Sequence, residues 1–101
     1  MKFNKEQLIE KFEQKDYSFC NEMLIQSIIE NLTYEIKKHN PKFEYTNISN
    51  LKTNCIKYLD NSKKQIVLQL HDFIYNEDYA ETYVLDTLLH MYEKISKENI
   101  Y

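Results

Sequence analysis

The fold of this chain is decided first by residues 18–39, which read SFCNEMLIQSIIENLTYEIKKH. Aliphatic side chains recur there at spacings of three and four and form one broad stripe of a helix: Leu24, Ile25, Ile28, Ile29, Leu32 and Ile36. Such a helix must bury its stripe against other elements. We expect it to begin at Ser18, which can act as an N-cap, and to end near His39, because Pro41 disfavours helical geometry at the residue before it.

The same periodicity predicts four more helices, over residues 5–15, 49–59, 62–75 and 78–97. Asn4 followed by Gln7, and Ser62 followed by Gln65, have the spacing of helix-starting capping boxes. The third helix should turn an apolar set towards the core: Ile48, Leu51, Cys55, Ile56 and Leu59. Residues 41–47 read as a loop. The prediction is an all-α fold, a compact antiparallel bundle of four to five helices.

One alternative architecture is a small α+β fold with a hairpin within residues 43–74. Its basis is the sequence QIVLQL at 65–70, which is rich in residues that favour strands. In either case the 101 residues suffice for one domain, 1–101, and 43% hydrophobic residues can build a single core. No apolar run reaches the length of a membrane span or a signal peptide, so we expect a soluble, cytoplasmic protein.

Residue usage narrows the functional classes. The chain has no Gly, no Trp and no Arg, and it is rich in Asn, Ile, Lys and Tyr, which is typical of an AT-rich genome such as that of a phage. Phosphate-binding loops depend on Gly, so nucleotide-binding enzymes are disfavoured. Cys20 and Cys55 lack paired Cys or His spacing, and we expect them to be buried free thiols.

Charge is strongly segregated along the chain. Residues 65–93 contain six acidic residues and no lysine, whereas residues 37–64 contain seven lysines and only Glu44 and Asp60 as acids. On helices, part of the acidic stretch should face outward, opposite the aliphatic stripe, and this outward set is the predicted partner-binding site: Asp72, Tyr75, Asp78, Tyr79, Tyr83 and Asp86. If the fourth and fifth helices form a hairpin, the two outward faces join.

Exposed tyrosines among carboxylates are suited to binding a protein with a basic surface, because the rings supply rigid apolar area and the acids steer the partner. A nucleic-acid-binding enzyme is one such partner, and the acids could then mimic phosphates, as in a phage-type anti-defence inhibitor. In architecture and surface chemistry the chain is similar to colicin-type immunity proteins. The contrary interpretation is that codon usage scatters tyrosines over a merely solvated surface.

The two charged regions leave two other binding modes open. The basic middle could pair with the acidic stretch of a second copy in a homodimer. The lysines could also bind nucleic acid, although we expect direct binding to be unlikely because Arg, the residue of base readout and bidentate phosphate contacts, is missing.

Enzymatic chemistry has little support in the sequence. The order of His39, His71, Asp72 and Asp86 is similar to the His…His-Asp…Asp order of helical metal-dependent phosphohydrolases of the HD type, which implies a metal site as a remote alternative. Serine and cysteine nucleophiles have no recognisable context. We therefore expect no enzyme, no catalytic residues, no metal and no cofactor.

Overall fold

The computed structural model describes residues 4–76 and 82–97, and within them the chain forms five helices and no strand. The helices are α1 Lys5–Glu13, α2 Tyr17–Lys37, α3 Ile48–Tyr58, α4 Asn61–Tyr75 and α5 Thr82–Ser96. The predicted all-α bundle is confirmed. The β-prone residues 65–70 lie inside α4, so the alternative with a hairpin within 43–74 is wrong. Burial of Ile66, Val67 and Leu70 on one helical face explains why tertiary packing overrides their strand preference.

Helix starts agree with the sequence for α1 and differ for α2 and α4. Asn4 caps α1 as predicted, since its side chain accepts a hydrogen bond from the Gln7 backbone N–H at 3.0 Å. Ser18 and Ser62 are not N-caps. Asp16 caps α2 and Asp60 caps α4, each accepting from the backbone N–H three residues on. A carboxylate at this position also interacts favourably with the helix dipole.

The turn between α1 and α2 is a Schellman motif built without glycine. The Lys15 N–H donates to the Phe12 carbonyl and the Asp16 N–H to the Lys11 carbonyl, both at 2.9 Å. Lys15 takes the left-handed conformation, with φ of 60°. That position usually holds glycine, because a Cβ is strained there.

The core is organised around α2, which packs against α1, α3 and α5. Its predicted stripe, from Leu24 to Ile36, is buried, and Cys20 near the start of the helix is buried as well. Val84, Leu85, Leu88 and Leu89 of α5 complete the opposite side. The third helix departs from its prediction at one position, since Ile56 is 47% exposed while the other four members of its apolar set are buried. Ile56 directly follows Cys55, which places it off the face that α3 turns to the core.

Contacts at the helix termini fix the directions of the helices. Cys20, near the start of α2, lines the same cavity as Leu85 and Leu89 from the first half of α5. Ile74, near the end of α4, lines another cavity beside the first half of α2. His39, two residues beyond α2, stacks on Tyr58, the last residue of α3. Therefore α2 and α5 begin, and α4 ends, at one end of the bundle, which we name the Tyr75 end.

At the opposite end, α2 and α3 terminate and α4 begins. The end of α5 lies there too, because Lys94 of α5 lines a cavity with Gln65 of α4. We name this the lysine end, since seven lysines lie at these termini: Lys37, Lys38, Lys57, Lys63, Lys64, Lys94 and Lys97. The lysine end thus carries an excess of positive charge, although Glu35, Asp60 and Glu93 also lie there.

Candidate functional site

The outward face of α4 carries the predicted residues Asp72 and Tyr75. Both are exposed, and Tyr75 is 74% exposed, more than any other large hydrophobic side chain in the described part of the chain. Its ring stacks on His71, one turn earlier, with ring centroids 5.4 Å apart and planes 23° apart. The buried residues Ile66 and Leu70 face the core. The α4 half of the predicted site is therefore an exposed tyrosine stacked on a half-buried histidine, beside an exposed carboxylate.

The outward face of α5 carries Asp86 and His90, both exposed, with Glu93 half-buried. Tyr83 lies within α5, but its side chain is outside the described part, and Asp78 and Tyr79 lie outside the described residues altogether. Tyr92, another tyrosine of the acidic stretch, is only 4% exposed and belongs to the core. Tyrosines of one acidic stretch therefore divide between surface and core.

The helices α4 and α5 are antiparallel neighbours, as the predicted hairpin requires. Residues from one side of α4 and one side of α5 line a groove of about 280 Å³ between them: Gln65, Ile66, Gln69, Thr87, His90, Met91 and Lys94. This groove lies towards the lysine end and has a polar rim. The acidic residues Asp72 and Asp86 lie towards the Tyr75 end, near the end of α4 and the start of α5.

Two acidic residues at the α1–α2 turn also lie at the Tyr75 end. Asp16 caps α2 at the Tyr75 end, and Glu13, the last residue of α1, lines an apolar cavity of about 250 Å³ there. The cavity is open to solvent on one side and is lined by apolar side chains of α1, α2 and α5: Leu8, Ile9, Phe12, Cys20, Leu85 and Leu89. The sequence contains no signal for this cavity, because the cavity forms only where α1 and α5 pack against the start of α2.

The sequence also does not predict the stacked aromatic rings at the lysine end. His39 and Tyr58 are stacked with centroids 6.0 Å apart and planes only 9° apart. Nineteen positions separate them in sequence, so no local pattern could reveal the pair. Tyr34 and Lys38, by contrast, have the spacing of neighbours on a helix, which is a visible signal.

The cysteines are free and buried, as predicted. Burial raises the pKa of Cys55 to about 12. Burial also raises the pKa of Cys20, with a smaller contribution from the nearby Asp16 carboxylate. The reactive thiolate form is therefore disfavoured at both sites.

The HD-type residue order does not form a metal site in the described part of the chain. Within residues 4–76 and 82–97, no three His, Cys, Asp or Glu side chains gather closely enough to hold an ion. His39 and His71 instead each stack on a tyrosine. Among the same residues, no helix has the length and apolar character needed to cross a membrane.

Comparison of the chain with protein-family models, with curated proteins and with solved structures finds no match.

Proposed function

We propose that this chain is a non-enzymatic protein-binding module that blocks or scaffolds a partner through its Tyr75 end. The exposure of Tyr75 carries the proposal. A side chain that is 74% exposed contributes little to the stability of the bundle, yet it presents a large aromatic surface to solvent. Its ring packs on that of His71 with centroids 5.4 Å apart, a contact that favours this orientation of the ring and so reduces the entropy that binding would cost.

The charges around Tyr75 define the chemistry of the partner. Asp72 lies three residues before Tyr75 on α4, and Asp86 lies on the adjacent helix, both in contact with solvent. Exposed carboxylates accelerate association with a basic surface and contribute less to final affinity. The partner class is therefore a protein with a basic surface, such as an enzyme that binds nucleic acid, and the chain would act on it as an inhibitor.

Capture from a lysate of the source organism, followed by mass spectrometry, tests the proposal. The immobilised wild-type chain is compared with Tyr75→Ala and with the matched control Tyr34→Ala, which removes a tyrosine that is 65% exposed at the opposite end. A partner should be enriched by the wild type and by Tyr34→Ala, and lost with Tyr75→Ala. Truncation of a central aromatic contact is expected to weaken binding roughly 30-fold or more.

The purified partner then permits a kinetic test of the acids. Replacing Asp72 and Asp86 with asparagine should slow association at low salt, and the difference from wild type should shrink as salt screens the charges. If Tyr75→Ala captures the same proteins as the wild type while remaining folded, the Tyr75 end is not the binding surface.

A further inference from the structure

Two helix termini, the ends of α2 and α3, carry aromatic rings at the lysine end. His39 follows the end of α2, Tyr58 ends α3, and their rings stack at 6.0 Å in nearly parallel planes. His39 is exposed and Tyr58 is half-buried beneath it. Tyr34, one turn before the end of α2, is 65% exposed. The lysine end therefore offers two separate exposed ring surfaces, one on His39 and one on Tyr34.

Each ring system carries its own lysine. The Lys57 ammonium lies 5.2 Å from the centroid of the Tyr58 ring, and the Lys38 ammonium lies 4.8 Å from that of Tyr34. Lys38 also forms an ion pair with Glu35 at 3.2 Å. The surface thus repeats one unit, a ring with a cation held beside it.

Helix stability explains only part of this lysine cluster. Lys37, Lys57 and Lys94 lie in the last turns of their helices, where positive charge complements the helix dipole. Lys63 and Lys64 lie in the first turn of α4, where positive charge opposes it.

Asp60 offsets one of these two charges. Its carboxylate caps α4 and pairs with the Lys63 ammonium at 3.0 Å. Lys64 has no carboxylate within ion-pair distance in the described part of the chain. Its charge opposes the dipole of α4 and is not offset by one of these ion pairs, so it is available for an external anion.

We propose that the lysine end binds single-stranded nucleic acid, with bases stacked on His39 and Tyr34 and phosphates held by Lys57 and Lys64. Stacking on an aromatic face accepts any base, and lysine holds phosphate as a point charge, so neither contact requires the missing arginine. A duplex, whose bases are already stacked with each other, cannot use the rings.

This proposal departs from the sequence-based expectation that direct nucleic-acid binding is unlikely. That expectation rested on the lack of Arg and on lysines alone, whereas the rings beside them are a product of the fold. The lysine end lies opposite the Tyr75 end, so the proposal is independent of the proposed function.

Fluorescence anisotropy with a labelled oligothymidylate of about 15 nucleotides tests the proposal. The expected dissociation constant at low salt is on the order of 10⁻⁵ M, and a hairpin duplex of equal charge should bind more weakly. His39→Ala and Tyr34→Ala should each weaken binding by roughly 5- to 100-fold with an unchanged salt dependence. Tyr75→Ala is the matched ring control and should bind as the wild type does.

The lysine variants should differ from the ring variants in the salt dependence of binding. Replacing Lys57 and Lys64 with glutamine should reduce the slope of log K against log salt by about 1.4, at about 0.7 for each phosphate contact. Lys15→Asn, which removes a charge at the Tyr75 end and keeps a residue that accepts positive φ, should leave the slope unchanged. Circular dichroism with a thermal melt of each variant shows that it is folded.

Three results would overturn the proposal. The first is no binding of the oligothymidylate at low salt by folded wild-type chain. The second is equal affinity for strand and duplex, or equal loss from Tyr75→Ala and Tyr34→Ala, which would reduce the effect to general charge attraction. The third is salt-sensitive self-association in sedimentation that Lys57→Gln with Lys64→Gln abolishes, because a second copy would then occupy this surface.

Discussion

Replacing Tyr92 with alanine should destabilise the chain severely, whereas replacing Tyr75 with alanine should leave it nearly as stable as the wild type. Both tyrosines belong to the same acidic stretch, residues 65–93. Tyr92 is 4% exposed and belongs to the core, and Tyr75 is 74% exposed on α4. The pair therefore separates what the fold requires of this stretch from what it leaves available for binding.

The magnitudes come from the buried area. A tyrosine presents about 200 Å² when unfolded, so full burial of Tyr92 contributes up to about 5 kcal/mol at 25 cal/mol per Å². Truncations of large buried aromatics cost about 3–5 kcal/mol. Burial of a quarter of Tyr75 contributes about 1 kcal/mol at most, and the higher helix propensity of alanine returns about 0.5 kcal/mol of that.

Thermal and urea unfolding followed by circular dichroism measure both effects. With an unfolding entropy of roughly 0.2 kcal/mol/K for a chain of this length, Tyr92→Ala should lower the midpoint by roughly 15–25 °C and Tyr75→Ala by about 3 °C. Tyr92→Phe, which keeps the ring, should lie between wild type and Tyr92→Ala. A Tyr75→Ala variant that loses as much stability as Tyr92→Ala would refute the assignment of Tyr75 to a binding surface.

Three further predictions concern single residues. Burial raises the pKa of the Cys55 thiol from 9.0 to about 12 in the folded chain. The thiol therefore contributes fully to the free energy of unfolding below pH 9.0, and this contribution declines as the pH rises further. Urea unfolding of Cys55→Ala above pH 9.0 should lack this part of the decline. Hydrogen bonds from the Lys63 backbone N–H and the Lys63 ammonium lower the pKa of Asp60. The Asp60 carboxylate therefore stabilises the folded chain above pH 3.8, and this stabilisation is lost as the pH falls through the folded pKa. Asp60→Asn should reduce the dependence of stability on pH in this acid range, and an unchanged dependence would contradict the role of Asp60. Lys15→Gly should raise the free energy of unfolding by about 0.5–1 kcal/mol, because glycine removes the strain of positive φ, and a loss of stability would rule out that account.

Local sequence predicted the helices well and their caps less well. Periodic aliphatic residues determine a helix wherever one face must be buried, so all five helices follow from spacing alone. The sequence predicts Ser18 and Ser62 as N-caps, whereas the actual N-caps are Asp16 and Asp60, each two residues earlier. Serine and aspartate are both good caps, so local preference cannot decide between them.

In the candidate surfaces, too, some features follow from local sequence and others only from tertiary packing. Helical spacing by itself determined that Asp72, Tyr75 and Asp86 face away from the aliphatic stripes, and all three are exposed in the folded chain. The sequence also determined that charge is segregated, because that is a property of composition along the chain. It could not determine that α2, α3 and α5 end together, since helix directions depend on long-range packing. Only that convergence stacks His39 on Tyr58 beside Lys57, because residues distant in sequence become neighbours only when the core brings their helices together.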